Sequence, residues 1–206
     1  MKIKVCGMKH PDNIRGLGTL PIDFMGMIFY EKSPRYVDKL TLEDLNLLPQ
    51  YIERVGVFVN AEIGLIIEKV NQYRLDFIQL HGNESPEFCK ELNRTLPIIK
   101  AFSISDVMNI EQTKAYDGLQ GYFLFDTKTP QYGGSGQKFD WAILDSYTGH
   151  TPFLLSGGIS IDDATEIRKI KHPQFYGIDL NSKFEKEPGL KDIELLQQFI
   201  KELRYE

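Results

Sequence analysis

Near its start the chain reads Lys2-Ile3-Lys4-Val5-Cys6-Gly7, a short apolar run that ends on a thiol and a glycine. This composition is typical of a β-strand that gives way to a loop. Residues 122–127, Tyr-Phe-Leu-Phe-Asp-Thr, repeat the arrangement with Asp126 near the end. A titratable group at the end of such a strand lies at the rim of a sheet, where α/β enzymes place their chemistry. The two runs therefore predict an α/β enzyme whose site lies at the strand ends.

Short β-rich runs alternate with helical patterns along the whole chain. Predicted strands lie at 3–6, 24–29, 54–59, 77–81, 98–102, 122–125, 153–156 and 176–180. Predicted helices lie at 12–20, 42–51, 62–73, 86–95, 107–116, 140–147, 161–170 and 191–203, and Thr41, Ser85, Ser105 and Ser160 precede four of them as caps. The alternation predicts an α/β fold, a single (β/α)8 TIM barrel over residues 1–206. A doubly wound open sheet is the alternative, but the loop after the first strand lacks its glycine fingerprint.

Composition limits the classes of function. With 206 residues, 42% hydrophobic and 26% charged, the chain is long and apolar enough to bury a core. Its net charge of -5 argues against a nucleic-acid partner. Two cysteines, Cys6 and Cys89, are too few for a disulfide framework, and four histidines without a helix-spaced pair predict no metal site. The absence of a signal-like or membrane-length apolar segment predicts a cytoplasmic protein without a membrane partner.

Strand parity indicates which side chains face the barrel interior, because alternate residues of a strand point to opposite faces. Lys4 and Cys6 share one face of the first strand, opposite Ile3 and Val5, which suit packing under helices. Gln79 and His81 share a face of the fourth strand, and Gly177, Asp179 and Asn181 share a face of the eighth. Closure puts the eighth strand beside the first. We therefore expect Asp179 near both Lys4 and Cys6.

Four side chains are candidates for chemistry or binding. A cation near Cys6 would lower the pKa of the thiol and make it a base, although a lone cysteine is often a buried small hydrophobe. Asp126 could act as a general acid or could cap the loop that follows it. Arg35 could clamp a carboxylate through two parallel hydrogen bonds, or be merely solvated. His81 could bind a ligand or satisfy a backbone carbonyl.

Candidate binding loops follow three late strands, and two of these loops are rich in glycine. Gly157 and Gly158 come after the seventh strand, and Asn181-Ser182 comes after the eighth. Backbone amides after these two strands form the usual phosphate site of a barrel, although an ordinary turn is the alternative. The longest connection, 127–138, contains Gly133-Gly134-Ser135-Gly136 and follows Asp126 directly, which favours a binding loop or lid over a surface excursion.

Taken together, these motifs resemble the phosphoribosylanthranilate isomerase family. The resemblance covers the whole chain in order, through Lys4-Val5-Cys6-Gly7-Met8, residues 29–37 with Ser33-Pro34-Arg35, Val55-Gly56-Val57-Phe58-Val59, Gln79-Leu80-His81-Gly82-Asn83-Glu84, Asp126 with residues 133–141, Ser156-Gly157-Gly158-Ile159, and Gly177-Ile178-Asp179-Leu180-Asn181-Ser182.

The resemblance implies a cofactor-free barrel of tryptophan biosynthesis that converts N-(5-phosphoribosyl)anthranilate into a ribulose-type ketone by an Amadori rearrangement. It implies Cys6 as the general base and Asp126 as the general acid. It also implies that Arg35 holds the anthranilate carboxylate, that Gly157, Gly158 and Ser182 hold the phosphate with Gly134 and Ser135 in the adjoining loop, and that Asp179 lies near the reacting centre, with His81 as a further binding residue. Members of the family occur as monomers, dimers and fusions, so a monomer or homodimer is expected.

Three points test the resemblance. Lys183 stands where many relatives have glycine, and lysine would be strained there if the position needs a positive φ. A histidine-pathway phosphosugar barrel would use two aspartates, which the cysteine at position 6 argues against. A non-catalytic phospho-ligand-binding barrel would lack the acid or the base, and the chain has both.

Overall fold

The described part of the chain, residues 1–119, 121–127 and 140–205 of a computed structural model, forms a closed barrel of eight strands. The strands are β1 Lys2–Cys6, β2 Phe24–Ile28, β3 Glu53–Phe58, β4 Phe77–Leu80, β5 Ile98–Ile104, β6 Gly121–Thr127, β7 Phe153–Leu155 and β8 Phe175–Leu180. Each strand pairs in parallel with the next, and β8 pairs in parallel with β1. The predicted (β/α)8 barrel is confirmed.

Helices connect most of the strands on the outside of the barrel. They are α1 Pro11–Leu17, α2 Leu42–Leu45, α3 Ile63–Tyr73, α4 Pro86–Leu92, α5 Val107–Glu111, α6 Ala164–Lys169 and α7 Ile193–Tyr205, with 3₁₀ turns at Gln112–Tyr116, Trp141–Ser146, Ile161–Asp163 and Ser182–Phe184. In α3 the residues Ile66, Val70 and Tyr73 are buried, which is the 3.6-residue period of a helix that covers a sheet.

Several predicted helices are shorter than expected. The second stops at Leu45 rather than at residue 51, because the amides of Leu47 and Leu48 donate to carbonyls three residues back instead of four, and Pro49 has no N–H to continue the helix. The helix predicted at 140–147 is a 3₁₀ turn at Trp141–Ser146, and the fifth helix is capped by Asp106 rather than by the predicted Ser105. The last helix begins at Ile193, not at 191. A hairpin of β9 Glu185–Glu187 and β10 Leu190–Lys191 precedes it, and Gly189 supplies the φ of +90° that its turn needs.

The barrel interior is packed at the N-terminal ends of the strands. The inner cluster contains Phe24, Val55, Phe77, Ile99, Ala101, Leu124 and Leu154, with Tyr122 and Tyr176 packed against it. The rings of Phe24 and Phe77 meet edge to face at 5.5 Å. A larger cluster, which includes Ile3 and Val5, lies between the barrel and its helices as predicted. The inner cluster fills the barrel interior at the N-terminal ends of the strands, so a ligand that enters the barrel does so from the C-terminal end.

The loop after β8 does not place Lys183 in the strained backbone conformation that was considered for it. Among the described residues other than glycine, only Asn60 and Arg74 have a positive φ. Lys183 lies inside the 3₁₀ turn Ser182–Phe184, and the position does not require glycine in this chain. The strain considered for Lys183 therefore does not arise. In the same described part of the chain, no helix has both the length and the apolar composition needed to cross a membrane.

Candidate active site

A cavity of about 580 Å³ opens at the C-terminal ends of the strands. This size is typical of a small-molecule site. Its wall includes the predicted residues Cys6, Arg35, His81, Asp126, Gly157, Gly158, Asp179 and Ser182. Gly134 and Ser135 lie outside the described residues, as does most of the predicted loop 127–138. The structure thus brings together every predicted site residue that it describes.

Cys6 ends β1 with its thiol buried against β2. Its exposed fraction is 4%, and a Cβ added to Gly26 would lie 2.7 Å from Cys6 Sγ. Burial raises the pKa of the Cys6 thiol, and the nearby positive charges of Lys4 and Lys191 oppose that rise without overcoming it. The prediction that a cation leaves Cys6 with a lowered pKa is therefore wrong in sign. The cations are present, but desolvation is the larger effect.

Lys4 and Asp179 form a buried ion pair below the thiol. Lys4 Nζ lies 2.9 Å from Asp179 Oδ1, and Ser156 Oγ donates to Asp179 Oδ2 at 3.3 Å. Burial lowers the pKa of Lys4, but the charges of Asp179 and Cys6 outweigh burial and leave the pKa raised. Lys4 Nζ also lies near the thiol, since a Cβ added to Gly26 would be 3.1 Å from Lys4 Nζ and 2.7 Å from Cys6 Sγ. The expectation that Asp179 lies near both Lys4 and Cys6 agrees with this geometry.

Asp126, the penultimate residue of β6, contacts His81, which directly follows β4. His81 Nε2 lies 3.2 Å from Asp126 Oδ2, and the backbone N–H of Thr127 donates to Asp126 Oδ1 at 2.9 Å. The other ring nitrogen, Nδ1, lies 2.9 Å from Gln79 Nε2. Among the described residues, the His81 ring thus contacts two side chains of the cavity wall rather than a backbone carbonyl.

A buried ion pair holds the loop that carries His81. Lys100 Nζ lies 3.0 Å from Glu84 Oε2 and also donates to the carbonyl of Gly82 at 2.7 Å. Glu84 in turn accepts hydrogen bonds from the backbone N–H groups of Asn60 and Gly82. Because these contacts join β3, β4 and β5, they fix the direction of the chain directly after His81. Sequence reasoning missed both charged residues.

Arg35 enters the cavity already engaged by a carboxylate. Its Nε and Nη2 donate to Glu185 at 2.9 and 2.7 Å. Glu185 also pairs with Lys191, whose Nζ donates to Asn181 Oδ1 at 2.8 Å. Burial raises the pKa of Glu185, but Arg35 and Lys191 outweigh it and leave the pKa lowered. Sequence reasoning missed Glu185 and Lys191, although the Pro188-Gly189 pair between them is a turn signal that predicts a hairpin.

Gly157 is required by the crowding around Asp126. Its φ is +90°, and an added Cβ would lie 2.2 Å from Thr127 Oγ1 and 2.9 Å from Asp126 Oδ1. Gly158 follows with a φ of +68°. Two successive glycines expose backbone amides to the cavity beside the turn that begins at Ser182, which is suitable for an anion. No group of three His, Cys, Asp or Glu side chains arranged to hold a metal ion occurs in the described part of the chain.

Comparison with known proteins agrees with this geometry. The family model described as N-(5'-phosphoribosyl)anthranilate (PRA) isomerase matches residues 3–202. The chain belongs to the PRA isomerase family. A relative from Parabacteroides distasonis, named N-(5'-phosphoribosyl)anthranilate isomerase, is 52% identical over 98% of this chain and 93% of its own length.

Solved structures of PRA isomerases share the fold. The enzyme from Thermus thermophilus superposes with a TM-score of 0.88 at 27% identity and covers 98% of both chains. A PRA isomerase in complex with reduced 1-(o-carboxyphenylamino)-1-deoxyribulose 5-phosphate superposes with a TM-score of 0.81 at 29% identity, over 99% of this chain and 98% of that one. The family predicted from the ordered motifs is confirmed.

Proposed function

We propose that this PRA isomerase family member converts N-(5-phosphoribosyl)anthranilate into 1-(2-carboxyphenylamino)-1-deoxyribulose 5-phosphate, an Amadori rearrangement of tryptophan biosynthesis, with no cofactor. The observation that carries the proposal is the cavity shared by Cys6 and Asp126. They come from β1 and β6, strands that are not neighbours in the barrel. A thiol and a carboxyl group facing one cavity supply a base and an acid for a single substrate.

The reaction begins with proton transfer from Asp126 to the ribose ring oxygen. The C1–O bond breaks as the lone pair of the anilino nitrogen forms a protonated Schiff base at C1. The carboxylate left on Asp126 then accepts the hydrogen bond of His81, 3.2 Å away. The nitrogen serves as the electron sink, so the chemistry of this step is carried by the substrate itself.

Cys6 completes the rearrangement as its thiolate. It removes the proton from C2, and the electron pair of that C–H bond neutralises the Schiff base to give an enolamine. The enolamine gains a proton at C1 and loses the one on its C2 oxygen, which yields the ketone. Burial makes ionisation of Cys6 less favourable, but a thiolate of raised pKa is the stronger base once formed. The positive charge of Lys4 stabilises that ionised form.

The substrate has two anionic ends, a carboxylate and a phosphate. A cationic region of the cavity suits the first, and a region rich in backbone amides suits the second. Arg35 would hold the anthranilate carboxylate, and Glu185 restricts how it does so, because Nε and one N–H of Nη2 already donate to Glu185. Nη1 and the second N–H of Nη2 have no hydrogen bond to a described residue and are the donors left for the substrate. The amides of Gly157, Gly158 and Ser182 would hold the phosphate, with Gly134 and Ser135 assigned to the same end.

The test is turnover of N-(5-phosphoribosyl)anthranilate by the purified chain and by two variants. Cys6→Ser and Asp126→Asn should each lower kcat by at least 10²-fold, the usual contribution of an acid or a base, with binding of the reduced product analogue retained. Cys89→Ser is the control, since Cys89 is buried in α4 away from the cavity. An inactive wild-type chain, or near-normal turnover by either site variant, contradicts the assignment. Rescue of a tryptophan auxotroph that lacks the isomerase tests the same activity in a cell.

A cytoplasmic location and a monomeric or homodimeric state belong to the same proposal. Cys6 and Cys89 are both free thiols, which fits a reducing compartment. Light scattering on the purified protein measures the oligomeric state, and any state larger than a dimer contradicts the proposal.

A further inference from the structure

Gln79 is a buried polar residue in the wall of the cavity to which no role has yet been given. It lies in β4 with an exposed fraction of 1%. Its amide nitrogen, Nε2, is 2.9 Å from His81 Nδ1. Its carbonyl oxygen, Oε1, is buried without a hydrogen-bond partner among the described residues. The amide is therefore oriented by His81 and not by a partner for its own oxygen.

We propose that Gln79 is a positioning residue that sets the tautomer of His81 for Asp126, and that its carbonyl oxygen accepts a hydrogen bond from an N–H or O–H group of the bound substrate. In the observed orientation the amide nitrogen of Gln79 faces Nδ1 of His81, and because an amide nitrogen only donates, we infer that Nδ1 accepts and carries no proton. In a neutral imidazole the single proton is then on Nε2. That nitrogen faces Asp126 Oδ2 at 3.2 Å.

The consequence for catalysis rests on the proposed function. When Asp126 gives its proton to the ring oxygen, negative charge develops on its carboxylate. A hydrogen-bond donor already aimed at that oxygen stabilises the charge without reorganisation. With the opposite tautomer, Nε2 would present a lone pair to the new carboxylate and repel it. Gln79 thus acts on Asp126 through the ring of His81.

The unpaired oxygen of Gln79 points to a ligand. Buried carbonyl groups are nearly always hydrogen-bonded, so an orphan in the wall of a cavity is a site for a donor from the bound molecule. The substrate carries such donors in its anilino N–H and its ribose hydroxyl groups. A carbonyl acceptor matches either of these neutral donors and neither of the two anionic ends of the substrate.

The tautomer is measured by ¹⁵N NMR of histidine-labelled protein, with the His81 signals assigned by their loss in His81→Asn. We expect the wild-type ring to carry its proton on Nε2. In Gln79→Glu a carboxylate faces Nδ1, so that nitrogen becomes protonated, although the side chain keeps its size. In Gln79→Met, which has nearly the same length and no polar atom, the preference for Nε2–H disappears. A wild-type His81 protonated on Nδ1, or a Gln79→Met signal like that of wild type, overturns the proposal.

Kinetics and binding supply the second readout. Gln79→Met should lower kcat about tenfold, as expected for one hydrogen bond in the transition state, and weaken binding of the reduced product analogue to a similar extent. Unchanged kcat overturns the positioning role, and unchanged analogue affinity overturns the contact with substrate. Gln197→Met on the exposed face of α7 is the matched control and should behave as wild type. If the wild-type chain turns over no N-(5-phosphoribosyl)anthranilate, the proposed function fails, whereas the NMR result still decides the tautomer.

Discussion

Lys4 Nζ lies 2.9 Å from Asp179 Oδ1, and the two residues are direct register partners where β8 closes the barrel on β1. Both side chains are buried. A buried charge is costly unless it is paired. The ion pair is therefore part of the closure of the barrel, and Cys6, the next residue on the same face of β1, lies directly above it. Lys4 therefore contributes both to closure of the barrel and to the ionisation of Cys6.

Removal of that cation should raise the pKa of Cys6 further. In Lys4→Met, burial still disfavours the thiolate, while the largest opposing charge is gone. The pH dependence of thiolate absorbance, recorded in a Cys89→Ser background with the Cys6→Ser double variant as the blank, should move to higher pH. Turnover at neutral pH should fall with it. Lys2→Met is the control, because Lys2 pairs with Asp23 and is 41% exposed. A midpoint that stays in place, or moves to lower pH, contradicts the role of Lys4.

The same pair should show strong thermodynamic coupling. Lys4→Met leaves Asp179 charged and buried, so we expect the free energy of unfolding to fall by about 3–5 kcal/mol. Lys4→Met with Asp179→Asn removes both charges and should be less destabilised than Lys4→Met alone. Urea unfolding at pH 7 of the wild type, both single variants and the double variant measures the coupling. Additive losses would mean that the two charges do not depend on each other.

Strand parity and topology were enough to predict much of the site. The inward direction of Lys4, Cys6 and Asp179 follows from a two-residue period, and their proximity follows from closure of the barrel. Both are properties of the backbone, and a local pattern of apolar and polar residues predicts them well. The loop glycines Gly157 and Gly158 were predictable for the same reason, since few other residues adopt a positive φ.

Properties that depend on packing depth or on distant partners were not predictable. The sign of the pKa shift at Cys6 was wrong because burial by β2 outweighs the nearby cations. Glu185 binds Arg35 from 150 residues away, so neither residue carries a local signal of the other. The helix predicted at 140–147 is a 3₁₀ turn, in which each hydrogen bond spans three residues instead of four. The spacing of apolar residues over so short a segment cannot distinguish the two kinds of helix.

Glu185 should stabilise the protein in a pH-dependent way. Arg35 and Lys191 lower the pKa of Glu185 from its ordinary value of 4.5, so its contribution is present above that value and is lost as the pH falls through the folded-state pKa. At pH 7 the Glu185→Gln variant should lose about 3 kcal/mol in the free energy of unfolding. The difference from wild type should start to shrink as the pH falls below 4.5 and should be smallest below the lowered folded-state pKa, where wild-type Glu185 is also neutral.

Urea unfolding across that pH range provides the measurement. Glu187→Gln is the matched control, because Glu187 lies in the same strand, β9, and is exposed. It should change the free energy of unfolding by less than about 0.5 kcal/mol. A Glu185→Gln difference that is independent of pH would show that the carboxylate charge is not what stabilises the hairpin.

Gly26 should be intolerant of a methyl group because of Cys6, not because of its own backbone. Its Cβ would lie 2.7 Å from Cys6 Sγ and 3.1 Å from Lys4 Nζ, so Gly26→Ala must displace the thiol, the amino group or both. We expect turnover to fall by at least tenfold, since small displacements of a reacting group are costly, and the free energy of unfolding to fall by about 1–3 kcal/mol.

Gly64→Ala makes the same change in α3, where an added Cβ meets nothing within 4 Å. That variant should keep full activity and gain about 0.4–1 kcal/mol in the free energy of unfolding. Turnover and urea unfolding of both variants check the pair, and an active Gly26→Ala enzyme would mean that the thiol does not need the position it occupies beside β2.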